Sequence, residues 1–162
     1  MSLLDTWQKI NTDPVCFGAR NDTYGAFSIT KSGRVKAIKL VRKSGSIDCN
    51  KVTSDSYWGC THSAYGDNAL MTVITDANRE AVLPPIEDMK ALGEKNACSN
   101  KTFYNLEGTG HKSPALVFRN LSSPLSLTRN QELQIWYGQD WRDCSESKNS
   151  GATCVDVYAW YI

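Results

Sequence analysis

The run Leu133-Gln134-Ile135-Trp136-Tyr137 alternates, with its odd positions on one apolar face, while Cys154-Val155-Asp156-Val157-Tyr158-Ala159-Trp160-Tyr161-Ile162 carries bulky apolar residues on both faces. Alternation with a period of two marks a strand buried on one side, and a run apolar on both sides marks a strand covered above and below. The second run is therefore expected at the centre of a sheet. Asp156 is its misfit, because it shares a face with Tyr158, Trp160 and Ile162, and a carboxylate there needs a partner or the exposed start of the strand.

Outward from these two runs, short segments rich in Val, Ile and aromatics place further strands near residues 25–29, 35–41, 70–75, 81–83 and 115–119. Ser32-Gly33 and Ser44-Gly45 bracket the second of these, and Asp76-Ala77-Asn78-Arg79 has the composition of a hairpin connection. Val35, Ala37, Ile38, Leu40 and Val41 break strict alternation, which points to a bulge near Ala37 and Ile38. One short helix of a turn or two is expected over 85–95, opening on Ile86-Glu87-Asp88 with Gly93 near its end. The class that follows is all-β: a single domain over 1–162, an antiparallel β-sandwich of jelly-roll type.

Six cysteines, Cys16, Cys49, Cys60, Cys98, Cys144 and Cys154, are dispersed among turn residues with no CxxC spacing. That argues against zinc and thioredoxin-like chemistry and for a disulfide framework, hence an oxidising compartment. Short separations suggest Cys49 with Cys60 and Cys144 with Cys154, which leaves Cys16 for Cys98. If the terminal strands lie side by side, Cys16 and Cys154 are the residues that exchange partners. Met1–Thr6 has neither a basic nor an apolar leader region, so either a leader was removed, which is the favoured reading, or the disulfide reading is wrong. N-x-Ser/Thr sequons at Asn21, Asn100 and Asn120 suit a secreted glycoprotein but add little weight. A formal net charge of +1 argues against nucleic acid or an anionic membrane as the main partner, and no apolar run approaches the roughly 18 residues of a membrane helix.

Two constellations carry candidate chemistry. Asp140, Asp143 and Glu146, with Asp156 beyond Asn149 and Gly151, supply hard oxygens of the kind calcium takes, though not in EF-hand order. The alternative is a solvated acidic loop or a structural hydrogen-bond network. Tyr57, Trp58, His62, Tyr65 and Asp67 surround Gly59 and Cys60, and aromatic faces on a braced loop stack on sugar rings while polar neighbours take hydroxyls. Trp58 could equally cover the end of the core, in which case Trp141 is the next aromatic to test. Lys31, Arg34, Lys36, Lys39, Arg42 and Lys43 form a basic run. On a regular strand Lys36 and Arg42 face oppositely to Lys39, so the charge is spread over two faces and reads as a solvated or edge-protecting strand, with a sulfated polysaccharide or mineral surface as the lesser reading. The chain has only His62 and His111 and no G-x-S-x-G elbow, which gives nucleophilic catalysis little support, and no P-loop or G-x-G-x-x-G occurs.

The strings Val15-Cys16-Phe17-Gly18-Ala19-Arg20-Asn21-Asp22, Tyr57-Trp58-Gly59-Cys60, Gln131-Glu132-Leu133-Gln134-Ile135-Trp136-Tyr137 and Thr153-Cys154-Val155-Asp156-Val157-Tyr158-Ala159 resemble a module of secreted proteins of corals, sea anemones and other cnidarians, some of them in the coral skeletal organic matrix. The resemblance spans nearly the whole chain and implies an extracellular binding or matrix module. It transfers no functional residue, because the family carries no established reaction. The expected activity is lectin-like binding of glycans or matrix components, with calcium as ligand or structural ion. A mineral-associated structural protein is the alternative, and an enzyme ranks third.

Overall fold

The computed structural model describes residues 7–50, 55–92, 100–119, 123–144 and 146–162. Its strands are β1 (Gln8–Lys9), β2 (Val15–Gly18), β3 (Gly25–Ser28), β4 (Gly33–Asp48), β5 (Gly59–Cys60), β6 (Ala69–Leu70), β7 (Thr72–Asp76), β8 (Ala81–Leu83), β9 (Ala115–Phe118), β10 (Leu125–Leu127), β11 (Glu132–Tyr137) and β12 (Ser150–Tyr161), with one four-residue helix, α1 (Gly138–Trp141). All the strand pairs are antiparallel.

β12 is central, as its two-sided apolar pattern requires. It pairs with β4 along almost its whole length, and on its other edge β1 and β2 lie end to end, at Tyr158–Ala159 and Ala152–Val155. β4 is flanked likewise by β9 and β10. The second sheet has the order β3-β11-β7-β8, and β5 and β6 form a small ribbon. Val35, Ile38, Leu40, Val155, Val157 and Ala159 from the larger sheet share one core with Phe27, Ile74, Leu133, Ile135 and Tyr137 from the smaller. The outcome is a disulfide-bonded antiparallel β-sandwich.

β4 departs from its expected end at Ser44-Gly45 and runs on to Asp48. Gly45 is the device: its φ of 81° is a left-handed conformation that glycine adopts without steric cost, and a Cβ there would lie 2.2 Å from the Ala152 carbonyl oxygen. A turn residue thus sits inside a strand as part of an irregularity. The register with β12 slips between Cys154 and Val155, leaving Lys43 extra, and between Trp160 and Tyr161, leaving Lys36 extra. The second slip adjoins the bulge expected at Ala37 and Ile38.

The helix expected over 85–95 is a three-residue 3-10 turn, Ile86–Asp88. Three residues are too few to propagate a helix. Met89 is buried and extended, and Lys90 bonds instead to Phe103, its amide donating at 2.7 Å; residues 93–95 lie outside those described.

Cys16 is bonded to Cys154, its direct cross-strand partner on β12, with a Cα separation of 4.0 Å. This corrects both Cys16–Cys98 and Cys144–Cys154, because the terminal strands do lie side by side and the pairing of β2 with β12 sets the two thiols opposite one another. Cys144 is itself disulfide-bonded, and Cys98 lies outside the described residues. Cys49 is bonded to Cys60, with a Cα separation of 5.2 Å.

Candidate functional site

β11 runs directly into α1, whose four residues are all buried. Gly138 permits the junction, since a Cβ there would come 2.0 Å from the Thr102 carbonyl oxygen. This turn aims Asp140 at the loop between β2 and β3. Asn21 and Asp22 have φ of 65° and 57°, a region short polar side chains tolerate, and successive amides bent this way form an anion-binding concavity. The Asp22 and Thr23 amides donate to the two Asp140 oxygens at 2.9 and 3.1 Å, and the Asn21 amide donates to Glu146 at 3.1 Å. Three consecutive N–H groups therefore hold two carboxylates. Burial, together with the neighbouring Glu146 carboxyl, raises the Asp140 pKa to about 7, against the pull of the two amides.

Arg79, at the tip of the β7–β8 hairpin, closes the cluster. Its guanidinium lies 3.3 Å from both Asp22 and Asp143 and donates to the carbonyls of Asp140 and Trp141 at 3.1 and 2.9 Å. Oxygens of Asp22, Asp140 and Asp143 fall within 4.8 Å of one another. Arg79 also packs against the Trp136 ring at 4.2 Å, and Tyr24 stacks on that ring at 4.7 Å while remaining 41% exposed. An open cleft of about 540 Å³ adjoins Tyr24, with Arg20 and Thr23 on its wall.

Asp140, Asp143 and Glu146 thus stand at one place, but Asp156 does not. It lies on the outward face of β12, between Lys9 at 3.6 Å and Lys43 at 3.7 Å, and accepts from Asn11 at 2.8 Å. Asp22, Tyr24 and Arg79 were not among the sequence candidates. Asn21-Asp22 carries a turn signal and Arg79 ends the recognised hairpin, but only the fold brings the two connections together.

The aromatic loop is organised around buried Asp48, which accepts from the amides of Cys49, Asn50, Asp55 and Thr61 and from the Thr61 hydroxyl. Trp58 is 0% exposed and donates its indole N–H to the Ser113 carbonyl at 2.7 Å. Trp141 is 5% exposed and donates to the Arg79 carbonyl at 2.8 Å. Both belong to the core, so neither presents a stacking face. Tyr57 lies under the Arg42 guanidinium at 4.0 Å. Tyr65 packs edge-on against Phe103 at 5.0 Å and accepts from Gln139, with exposed His62 at its other side. Exposed Asp67 lines a separate cleft of about 400 Å³ with Asn68, Asn105 and Glu107.

One solved structure shares this architecture across both chains. The structure of AJLec from the sea anemone Anthopleura japonica matches with a TM-score of 0.83 and 29% identity, covering 97% of this chain and 98% of that one. No family model and no curated protein sequence matches. The coverage leaves little of either chain outside the match to AJLec, so the all-β fold is common to nearly their full lengths.

Proposed function

We propose that this chain is an extracellular lectin-type module, one domain over 1–162, that takes a glycan at the Tyr24 end of the smaller sheet, with calcium held by Asp22, Asp140, Asp143 and Glu146. The observation that carries the reading is the exposed Tyr24 ring, backed by Trp136 and set beside a guanidinium and three carboxylates. A sugar offers a C–H face to the ring and hydroxyls to charged acceptors and donors, and an open cleft suits a chain end. Support comes from AJLec, a lectin by its name. Disulfides suit an oxidising exterior, and no helix among the described residues is long and apolar enough to cross a membrane.

Calcium takes six to eight oxygens, and the cluster offers carboxylates whose mutual repulsion a divalent ion relieves. Arg79 bridges Asp22 and Asp143, so binding requires its guanidinium to swing aside. A glycan array read with wild type, Tyr24→Ala and Tyr65→Ala tests the site. Loss of signal in folded Tyr24→Ala with retention in Tyr65→Ala is the expected result. The opposite pattern moves the sugar to the Tyr65 ring beside His62, and signal unchanged by either variant removes both sites.

A further inference from the structure

The two register slips of β4 build a second assembly on the outward face of the larger sheet. Cross-strand partners share a face, so Lys39 lies with Tyr158, Ala37 with Trp160 and Val41 with Asp156. A regular strand would turn Lys36 away from Lys39, but the slip at Lys36 brings its ammonium over Trp160 at 4.4 Å, while Lys39 sits 4.5 Å from the Trp7 ring centroid and 5.1 Å from that of Tyr158. The slip at Lys43 likewise brings it to Asp156, opposite Lys9. Trp7 and Trp160 meet edge to face at 5.3 Å. Lys36, Lys39 and Lys43 are thus gathered on one face, while Arg42, the partner of core-facing Val155, lies on the other over Tyr57.

We propose that this face binds a sulfated polysaccharide. The Asp156 carboxylate is already shared by Lys9 and Lys43, and among the described residues Lys36, Lys39 and Arg119 have no carboxylate partner within ion-pair distance. Arg119 lies two residues beyond Val117, the β9 partner of Lys39, and the pKa of Lys39 is lowered first by burial and then by the field of that guanidinium. Ammonium groups seated on aromatic rings are fixed before a ligand arrives, so less freedom is lost on binding. The same seating covers ring faces that bases would need, so the surface favours anionic groups along a chain over nucleobases. A two-fold dimer through this face would set lysines against lysines. The site uses residues distinct from the Tyr24 end and does not rest on the lectin reading.

Calorimetric titration with heparin over a series of NaCl concentrations tests the proposal. Wild type is expected to bind, with the logarithm of its affinity falling linearly in log salt, and fully desulfated heparin is expected not to bind. The double variant Lys36→Gln/Lys39→Gln, with its melting temperature retained, should bind about tenfold more weakly and lose about 2 from the salt slope. If that variant fails to fold, the exposed Arg119→Gln gives the same reading with a slope change of about 1. Absence of heparin binding at low salt, or binding unchanged in a folded variant, overturns the proposal. So does tighter binding to an oligothymidylate or to phosphatidylserine vesicles, or a dimer in sedimentation that the double variant abolishes. The double variant is expected to keep its signal on a neutral glycan array, so this site and the Tyr24 site fail independently.

Discussion

Asp140 couples the candidate site to pH. Its folded pKa of about 7 lies above the ordinary 3.8, so between those values the folded state holds more protons than the unfolded one. The stability of the folded state then falls as pH rises through that window and levels off above it. Urea denaturation in chelator from pH 4 to 8 should show this fall, with a shallower slope in Glu146→Gln. That variant removes the like charge and keeps an oxygen for the Asn21 amide, and burial, the larger cause, remains. A Glu146→Gln profile parallel to wild type would place the titration elsewhere. Calcium competes with the same protons, so the rise in melting temperature on adding millimolar calcium should be larger at pH 8 than at pH 5. No rise at either pH would leave the cluster as a purely structural network. Trp58 makes the opposite point about legibility. Its neighbours Tyr57, His62 and Tyr65 gave it the look of a binding aromatic, and only the long-range bonds, from its indole to Ser113 and from the Met71 amide to its carbonyl, assign it to the core. Trp58→Ala is expected to cost about 3–5 kcal/mol in urea denaturation, and a cost under about 1 kcal/mol would contradict the burial.

At the scale of elements, β11 and β12 were readable as strands, but their periods misstated burial: Gln134 and Trp136 on the second face of β11 are buried too, while Tyr158 and Trp160 on the outward face of β12 are half-buried and Ile162 is exposed. β4 was only half readable. Ser44-Gly45 carries turn chemistry, and local sequence does not distinguish a strand that ends at glycine from one that passes through it in a left-handed conformation. Gly45→Ala tests which of the two matters: strain at φ 81° and the close Ala152 carbonyl predict a loss of about 1–3 kcal/mol, whereas a strand ending there would tolerate alanine. β2 was missed for another reason. Val15-Cys16-Phe17-Gly18 is only four residues long, and its stability comes from β12, which lies far away in sequence. The carboxylate cluster shows the same limit, because Asp140, Asp143 and Glu146 are sequence neighbours while Asp22, Tyr24 and Arg79 arrive from two other connections.

Over the whole molecule, the two described disulfides differ in reach. Cys16–Cys154 spans a sequence separation of 138, and Cys49–Cys60 one of 11. In the chain-entropy model the first contributes about 5 kcal/mol and the second about 3. Cys16→Ser/Cys154→Ser should therefore be the more destabilised double variant in urea, and the reverse order would show that strain or residual structure outweighs loop length. The long bridge also decides how the molecule carries mechanical load. Tension applied through β1 and the end of β12 passes from Cys16 to Cys154 through the sulfurs, so the smaller sheet and the Tyr24 site between the two cysteines are shielded, whereas Lys9, Asp156, Tyr158 and Trp160 of the basic face lie on the loaded segments. In a single-molecule pulling experiment the oxidised protein should release little contour length. Reduction should free roughly 480 Å more, the extended length of the chain across the sequence separation of 138 that the bridge had shielded.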